Sequence, residues 1–298
     1  MRIANKSLYD STIRMLGKVS TEMTDAYITV TTGKRINKLS DDPVGLVTVL
    51  DLKSSIANIS QMQRNIDMGK SWLTSGESSL EQTEEILTAT KEMCVQYSSA
   101  NISAEERSNA VSIIDGYLKQ IISLSNSKVG ERYIFGGTNT DTIPFELNSD
   151  ETLVTYNGND NPFSLKIGSN SNIEVGRDGQ EIFGSNWDDN NIFKTFIDLK
   201  TYLENNDIGG IQSTIDNLDS HLNTTGGVIS DIAGKIIRLD IKENIINDLN
   251  ITYSDRKSLI EEVDIAEAMI DLNSKEMAYQ AALASSSKVI SLSLVDFL

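Results

Sequence analysis

Between Ile208 and Leu239 the chain reads IGGIQSTIDNLDSHLNTTGGVISDIAGKIIRL. Ile208, Ile211, Ile215, Leu218, Leu222, Thr225, Ile229, Ile232, Ile236 and Leu239 follow one another at spacings of 3 and 4 without a slip. An apolar stripe of that period lies along one face of a helix. The phase runs on through Glu243, Ile246, Asn250 and Tyr253. Gly226-Gly227 does not shift it, so the stretch predicts one continuous or slightly bent helix. His221 stands beside Leu222 and off the stripe, which predicts a solvated or capping residue.

A second long helix is written in strict sevens: Leu52, Ile59, Ile66, Leu73, Leu80, Leu87 and Cys94. A seven-residue repeat keeps one stripe against a neighbour with a slight left-handed supercoil. Three residues beyond each come Ser55, Met62, Gly69, Gly76, Thr83, Thr90 and Tyr97, mostly small, which predicts close approach of a neighbouring backbone. Trp72 sits beside the seam. Ser103 and Glu106 then have capping-box spacing, and Val111, Ile114, Leu118, Ile121 and Ser125 continue as a third helix, folded back as a hairpin.

The two ends carry matching patterns. Leu16, Val19, Met23, Ala26, Val30 and Gly33 keep the 3/4 spacing, and so do Leu259, Val263, Ala266, Ile270, Asn273 and Met277. The first run stops at Asn37-Lys-Leu-Ser-Asp-Asp-Pro-Val, where Asp42 is placed to cap and Pro43 to begin a helix. Ser254-Asp-Arg-Lys-Ser reads as the break on the other side, with Ser258 and Glu261 as a capping box. Residues 1–40 carry seven basic and three acidic side chains, and residues 256–298 four and seven, so the two ends attract. Such exposed pairs contribute only tenths of a kcal/mol each. Seams of Ala, Gly, Asn and Thr bury little, and the terminal pair alone is marginal.

Composition narrows the function classes. The 298 residues hold 26 basic and 43 acidic side chains, a net charge of −17. That balance argues against a nucleic-acid backbone, which needs Lys and Arg to displace counterions, and against an anionic membrane surface. One cysteine, Cys94, excludes an internal disulfide, and one histidine excludes every constellation needing two. No apolar run reaches the length of a membrane span, so no membrane insertion is expected. The N-terminus lacks the apolar stretch of a cleaved Sec signal.

Ten of the aromatic residues fall between Tyr133 and Tyr202, where the pattern changes. Alternating stretches at Thr152-Leu-Val-Thr-Tyr, Phe163-Ser-Leu-Lys-Ile and Asn172-Ile-Glu-Val, punctuated by Asn157-Gly158, Gly168 and Asp178-Gly179, predict a small antiparallel sheet at the tip of the bundle. Helix resumes near Asn191 with Phe193, Phe196, Leu199 and Leu203 inward. The predicted class is therefore mainly α: a long-helix bundle or coiled coil formed by the N- and C-terminal halves, with a small inserted antiparallel β domain. The parts are a terminal helical domain at 1–42 and 255–298, a central bundle at 43–138 and 191–254, and a β-rich insertion at 139–190.

No catalytic, cofactor-binding or metal residues are identified. Asn157, Asn159, Asp160 and Asn161 lack EF-hand spacing, and turn chemistry accounts for them. Gly136-Gly137-Thr138 has no lysine and is not a phosphate loop. Asp41-Asp42 caps a helix, and Cys94 reads as a small buried hydrophobe. The chain is predicted not to be an enzyme.

Three motifs carry a family resemblance. Thr32-Gly-Lys-Arg-Ile-Asn-Lys-Leu-Ser-Asp-Asp-Pro-Val-Gly resembles the N-terminal signature of the bacterial flagellin superfamily, with Asp-Asp-Pro in place of the usual Asp-Asp-Ala-Ala-Gly. Arg132-Tyr-Ile-Phe-Gly-Gly-Thr-Asn-Thr is similar to the Tyr-Leu-Phe-Gly-Gly-type segment of its hook–filament junction branch. Val263-Asp-Ile-Ala-Glu-Ala-Met and the ending Ala281 to Leu298 resemble that branch's C-terminal helix. The resemblance implies a structural flagellar protein, exported by the type III apparatus with an export chaperone and located outside the cell on the bacterial flagellum. It implies self-association in a ring or tubular layer between the first hook-associated protein and the flagellin filament, built through the terminal helices. Two alternatives are a flagellin-type filament subunit and an acidic coiled-coil tether or signalling rod.

Overall fold

The computed structural model describes residues 2–168, 170–184 and 191–295. Asn190, the expected end of the insertion, and the closing Asp296-Phe-Leu lie outside the described residues. The chain packs as two units, one made of Met1–Ile59 with Asp248–Leu298 and one of Ser60–Asn247. The long helices α2 (Pro43–Tyr97) and α6 (Ile208–Glu261) supply residues to both. Neither has an interior proline, which would cost a helix about 3 kcal/mol.

Within the second unit α2 and α6 run antiparallel. The heptad of α2 holds from Ile59 onward, with Ile59, Ile66, Leu73, Leu80, Leu87 and Cys94 all buried, whereas Leu52 is half-buried. Lys70 lies between Asp240 and Glu243, and Gln63 Nε2 donates to Glu243 Oε1 at 3.0 Å. The seam glycines admit side chains rather than a neighbouring backbone. A Cβ on Gly69 would meet Leu165 and Leu239 at 3.3 Å, and one on Gly76 would meet Ile134 at 3.6 Å.

α3 (Ala104–Ser125) turns back along α2, and the capping box forms as its spacing predicts. Ser103 Oγ accepts the Glu106 N–H at 3.2 Å, and Glu106 Oε2 accepts the Ser103 N–H at 2.8 Å. α5 (Ile192–Glu204) starts at Asn191, whose side chain accepts the Lys194 N–H, and its four expected inward residues are buried. Arg107 is fully buried in the same unit. Its guanidinium donates to Tyr97 O (2.8 Å), Ser99 O (2.7 Å) and Asn206 Oδ1, fastening the α2–α3 turn to the α5–α6 turn.

α6 is continuous through Gly226-Gly227, but half of its core face differs from the expected stripe. Ile211, Leu218, Thr225, Ile232 and Leu239 are buried as predicted. The companion positions are Thr214, His221 and Val228, one residue before Ile215, Leu222 and Ile229, which are only half-buried. Thr214 and His221 have partners that make their burial tolerable, whereas the Thr225 hydroxyl is buried without one. Thr214 Oγ1 donates to Gly210 O at 2.9 Å, and His221 Nε2 lies 2.9 Å from Thr195 Oγ1. His221, at 4% exposure, is thus a core residue and not a solvated one.

The strands are three separate antiparallel hairpins rather than one sheet: β1 (Lys128–Val129) with β2 (Arg132–Tyr133), β3 (Phe145–Leu147) with β4 (Val154–Tyr156), and β5 (Ser164–Gly168) with β6 (Ser171–Glu174). They lie against the helices and share their core. Trp72 of α2 meets Phe163 at 5.4 Å between centroids, and Asn65 Nδ2 donates to Lys166 O at 2.7 Å. Phe145 contacts Phe183 of the short helix α4 (Gly179–Phe183) at 5.3 Å and Phe193 of α5 at 5.1 Å. The aromatic concentration of the middle segment is this joint between hairpins and bundle.

Three outcomes follow for stability. Leu218→Asp places a carboxylate in a fully buried position and should cost several kcal/mol, whereas Ile237→Asp at 58% exposure should cost under about 0.5 kcal/mol, both read by urea unfolding. Arg107→Met keeps the stem but removes three hydrogen bonds made by a buried guanidinium, and a loss of about 2 kcal/mol in the same assay is expected. Replacing 141–188 with a Gly/Ser linker should leave the helical circular dichroism largely in place, lower Tm, and red-shift the emission of Trp72, by then the sole tryptophan.

Candidate functional site

The first unit is built from α1 (Arg2–Thr32), α7 (Ile265–Val295) and the adjoining ends of α2 and α6. α1 and α7 pair antiparallel, with Lys275 Nζ 2.9 Å from Glu22 Oε2. On α1 the facing stripe is the expected one: Ala26 is buried, and Leu16, Val19, Met23 and Val30 are half-buried. On α7 it is not. Ala268, Leu272, Lys275, Tyr279, Ala282 and Ser286 are the buried and half-buried residues. The predicted seam residues Ala266, Ile270, Asn273 and Met277 face solvent, Ile270 at 71% and Met277 at 65% exposure. α7 carries apolar residues on several faces, so period alone could not choose among them. Lys275 serves in the seam because its stem packs while its ammonium reaches Glu22.

The unit is poor in core. Among its described residues the buried apolar side chains are Ala26, Ile36, Val49, Ile59 and Ala268. Meanwhile Ile13, Met15 and Tyr27 of α1, Val44 and Val47 of α2, and Ile265, Ile270 and Met277 of α7 stand exposed. A surface of that size and character is the physical signature of a face meant to be covered.

The motif from Thr32 to Gly45 forms the crossing between α1 and α2. Gly33 takes φ +67°, the left-handed conformation that ends a helix and suits glycine. Asp41 Oδ2 accepts the N–H groups of Asn37 (3.0 Å) and Lys38 (2.9 Å), and Asp42 Oδ1 accepts the Gly45 N–H at 2.8 Å, capping α2 ahead of Pro43 as expected. The Gly45 amide and the Arg35 guanidinium hold the Asp42 carboxyl below its ordinary range against the opposing effect of burial.

The second break falls later than the spacing predicts. α6 passes through Ser254–Ser258, which holds neither glycine nor proline, and ends at Glu261. Ser258 Oγ donates to Glu262 Oε2, so no capping box with Glu261 exists, and α7 is capped instead by Asp264 Oδ1, which accepts the Ala266 N–H at 2.8 Å. The two breaks meet: Arg35 N–H donates to Glu261 O at 2.7 Å, and Val263 N–H to Gly33 O at 3.1 Å. Buried Glu261 receives Lys53 Nζ at 2.8 Å and Lys34 Nζ at 2.9 Å. Burial pushes its carboxyl up, but the two lysines outweigh that and hold it below the ordinary glutamate range.

The remaining candidates are spent on structure. Gly137, at φ +65°, leaves no room for a Cβ beside Asn159, whose Oδ1 accepts the Thr138 N–H at 3.0 Å. The Gly136-Gly137-Thr138 segment and the Asn157–Asn161 cluster are therefore two halves of one folded turn. Cys94 is buried in the α2 seam, and burial pushes its thiol up to about 12. Among the described residues no group of three or more His, Cys, Asp or Glu is placed to hold a metal ion, and no helix is long and apolar enough to cross a membrane.

Comparison with known proteins agrees with this geometry. The family model for the bacterial flagellin N-terminal helical region matches residues 3–140. Flagellar hook-associated protein 3 of Salmonella typhimurium is 26% identical over 186 residues, 62% of this chain and 57% of that one, so the chain spans just over half the length of this relative. The flagellar filament 30.7 kDa core protein of Treponema maltophilum is 22% identical over 272 residues, 91% of this chain and 90% of that one. The crystal structure of flagellar hook associated protein-3 from Legionella pneumophila, 16% identical, superposes with a TM-score of 0.62 over 70% of this chain and 98% of that one, a likeness of fold. Residues 3–140 thus match the bacterial flagellin N-terminal helical region, just under half of the chain.

Proposed function

We propose that this chain is a structural subunit of the bacterial flagellum that forms the junction layer between the first hook-associated protein and the flagellin filament. The observation that carries the reading is the unpartnered apolar surface of the first unit, above all the Ile270 and Met277 face of α7. The match to a hook-associated protein 3 supplies the direction. Helices that bury little alone gain burial when copies pack together, so the terminal segments 1–42 and 255–298 act as the self-associating part of a ring or tube. The bundle at 43–138 and 191–254 and the segment 139–190 make up the rest of the subunit. The role is mechanical and involves no catalysis. On this reading the chain reaches the extracellular flagellum through the type III export apparatus, kept assembly-competent by an export chaperone.

The Treponema match over most of the chain favours a second reading, a filament subunit. Imaging labelled protein on isolated flagella separates them: a single band at the hook–filament boundary fits the junction, and label along the filament fits the subunit.

The double variant Ile270→Asp with Met277→Asp tests the surface. Both residues are exposed, so each change should cost the monomer under about 0.5 kcal/mol by thermal unfolding, yet the variant should fail to join flagella. Incorporation equal to that of the parent would refute the assembly role of this face. Limited proteolysis of the monomer should cut first within α1 and α7 and leave a core that keeps its thermal transition, because the buried seams of α2, α3, α5 and α6 are untouched.

A further inference from the structure

The two helix breaks of the first unit are tied directly to each other. Lys34 and Glu262 form an antiparallel bridge, flanked by Arg35 N–H to Glu261 O and Val263 N–H to Gly33 O. Among the described residues these are the backbone bonds that join residues 1–59 to 248–298 outside the helices. Cationic side chains close over the same point. Arg35 Nη2 donates to Ile260 O at 3.0 Å, and Lys34 and Lys53 both reach the Glu261 carboxylate. Positive charge is well placed there, because the last carbonyls of α6 have no partners within the helix and carry the negative end of its dipole. The remaining charges nearby are engaged elsewhere: Asp42 pairs with Arg35, Glu262 takes the Ser258 hydroxyl, and Asp264 caps α7.

We propose that this bridge is a latch centred on Glu261 that makes the two breaks a single hinge, so that α1 and α7 change their angle to α2 and α6 together and never singly. Each bond of the bridge starts at one break and ends at the other, so opening one break removes the partners of the other. Lys34 and Lys53 approach Glu261 from different elements, the segment after α1 and the helix α2, and their shared carboxylate lies at the last residue of α6. A carboxylate whose folded value lies below its ordinary 4.5 stabilises the latch fully above that value and releases it as pH falls through the lowered one.

Hydrogen exchange on the full chain, corrected for intrinsic rates, tests the latch. In Glu261→Gln the amides of Arg35 and Val263 should exchange at least tenfold faster, both together, while those of Ile114 and Leu199 in the bundle core stay as in the parent. Lowering the pH below 4.5 should speed the same two amides in the parent and speed them less in Glu261→Gln, where the Asp42–Arg35 pair is left to titrate. Lys53→Met, which retains Lys34, should give a smaller and equally paired acceleration, and it serves where the glutamine variant melts α1 altogether. Acceleration of one amide without the other, or of neither, overturns the proposal.

Discussion

In the second unit the side chains of α2 and α6 meet along antiparallel helices. Their seam alternates large and small residues: Leu73, Leu80 and Leu87 fill it, and Gly69 and Gly76 leave hollows. The hollows are where the β hairpins enter. Leu165 and Val175 come within 3.4 Å of where a Cβ on Gly69 would sit, and Ile134 comes close to Gly76. Two residues that cost a helix about 1 kcal/mol each in propensity thus admit a second layer of structure onto its flank. The hairpins, each only two to five residues per strand, could not stand alone, and this docking is what stabilises them.

The first unit obeys the opposite arithmetic. Its helices are as long as those of many stable bundles, yet its seam is made of Ala26, Ala268, Ala282 and Ser286 and of side chains only half covered. Small residues set two backbones close but remove little apolar surface from water, at about 25 cal/mol per Å². What specifies the pairing is polar: Lys275 with Glu22, and the bonds at the meeting of the two breaks. Large apolar side chains are abundant in the unit, but many are turned outward. Protein association needs that distribution, and isolated folding does not.

The sequence was most legible where one physical rule acted alone. In α2 the heptad named the buried residues because large and small positions alternate without ambiguity. In α6 the rule found Ile211, Leu218, Ile232 and Leu239 but preferred Ile215 and Leu222 to Thr214 and His221, since hydropathy cannot foresee that Thr195 and Gly210 will satisfy the polar pair. In α7 apolar residues surround the helix, so period carried no information about which face meets α1. Arg107 was invisible for a related reason: its charge argues for the surface, and only the three-dimensional meeting of two turns supplies its acceptors. The crossing at Thr32–Gly45 was legible as a stop and restart with Asp42 as cap. That it meets Glu261 could not be read, because that contact joins residues far apart in the chain.

The lone cysteine has a practical consequence. Cys94 is sealed in the α2 seam, and its thiol is held protonated by burial, so a thiol reagent at neutral pH has nothing to react with while the bundle stays closed. Labelling can proceed only through openings of the seam, and its rate counts those openings at one known position. The chain therefore carries an endogenous, single-site reporter of its own breathing. The same burial keeps it from forming adventitious disulfides between copies that are packed side by side.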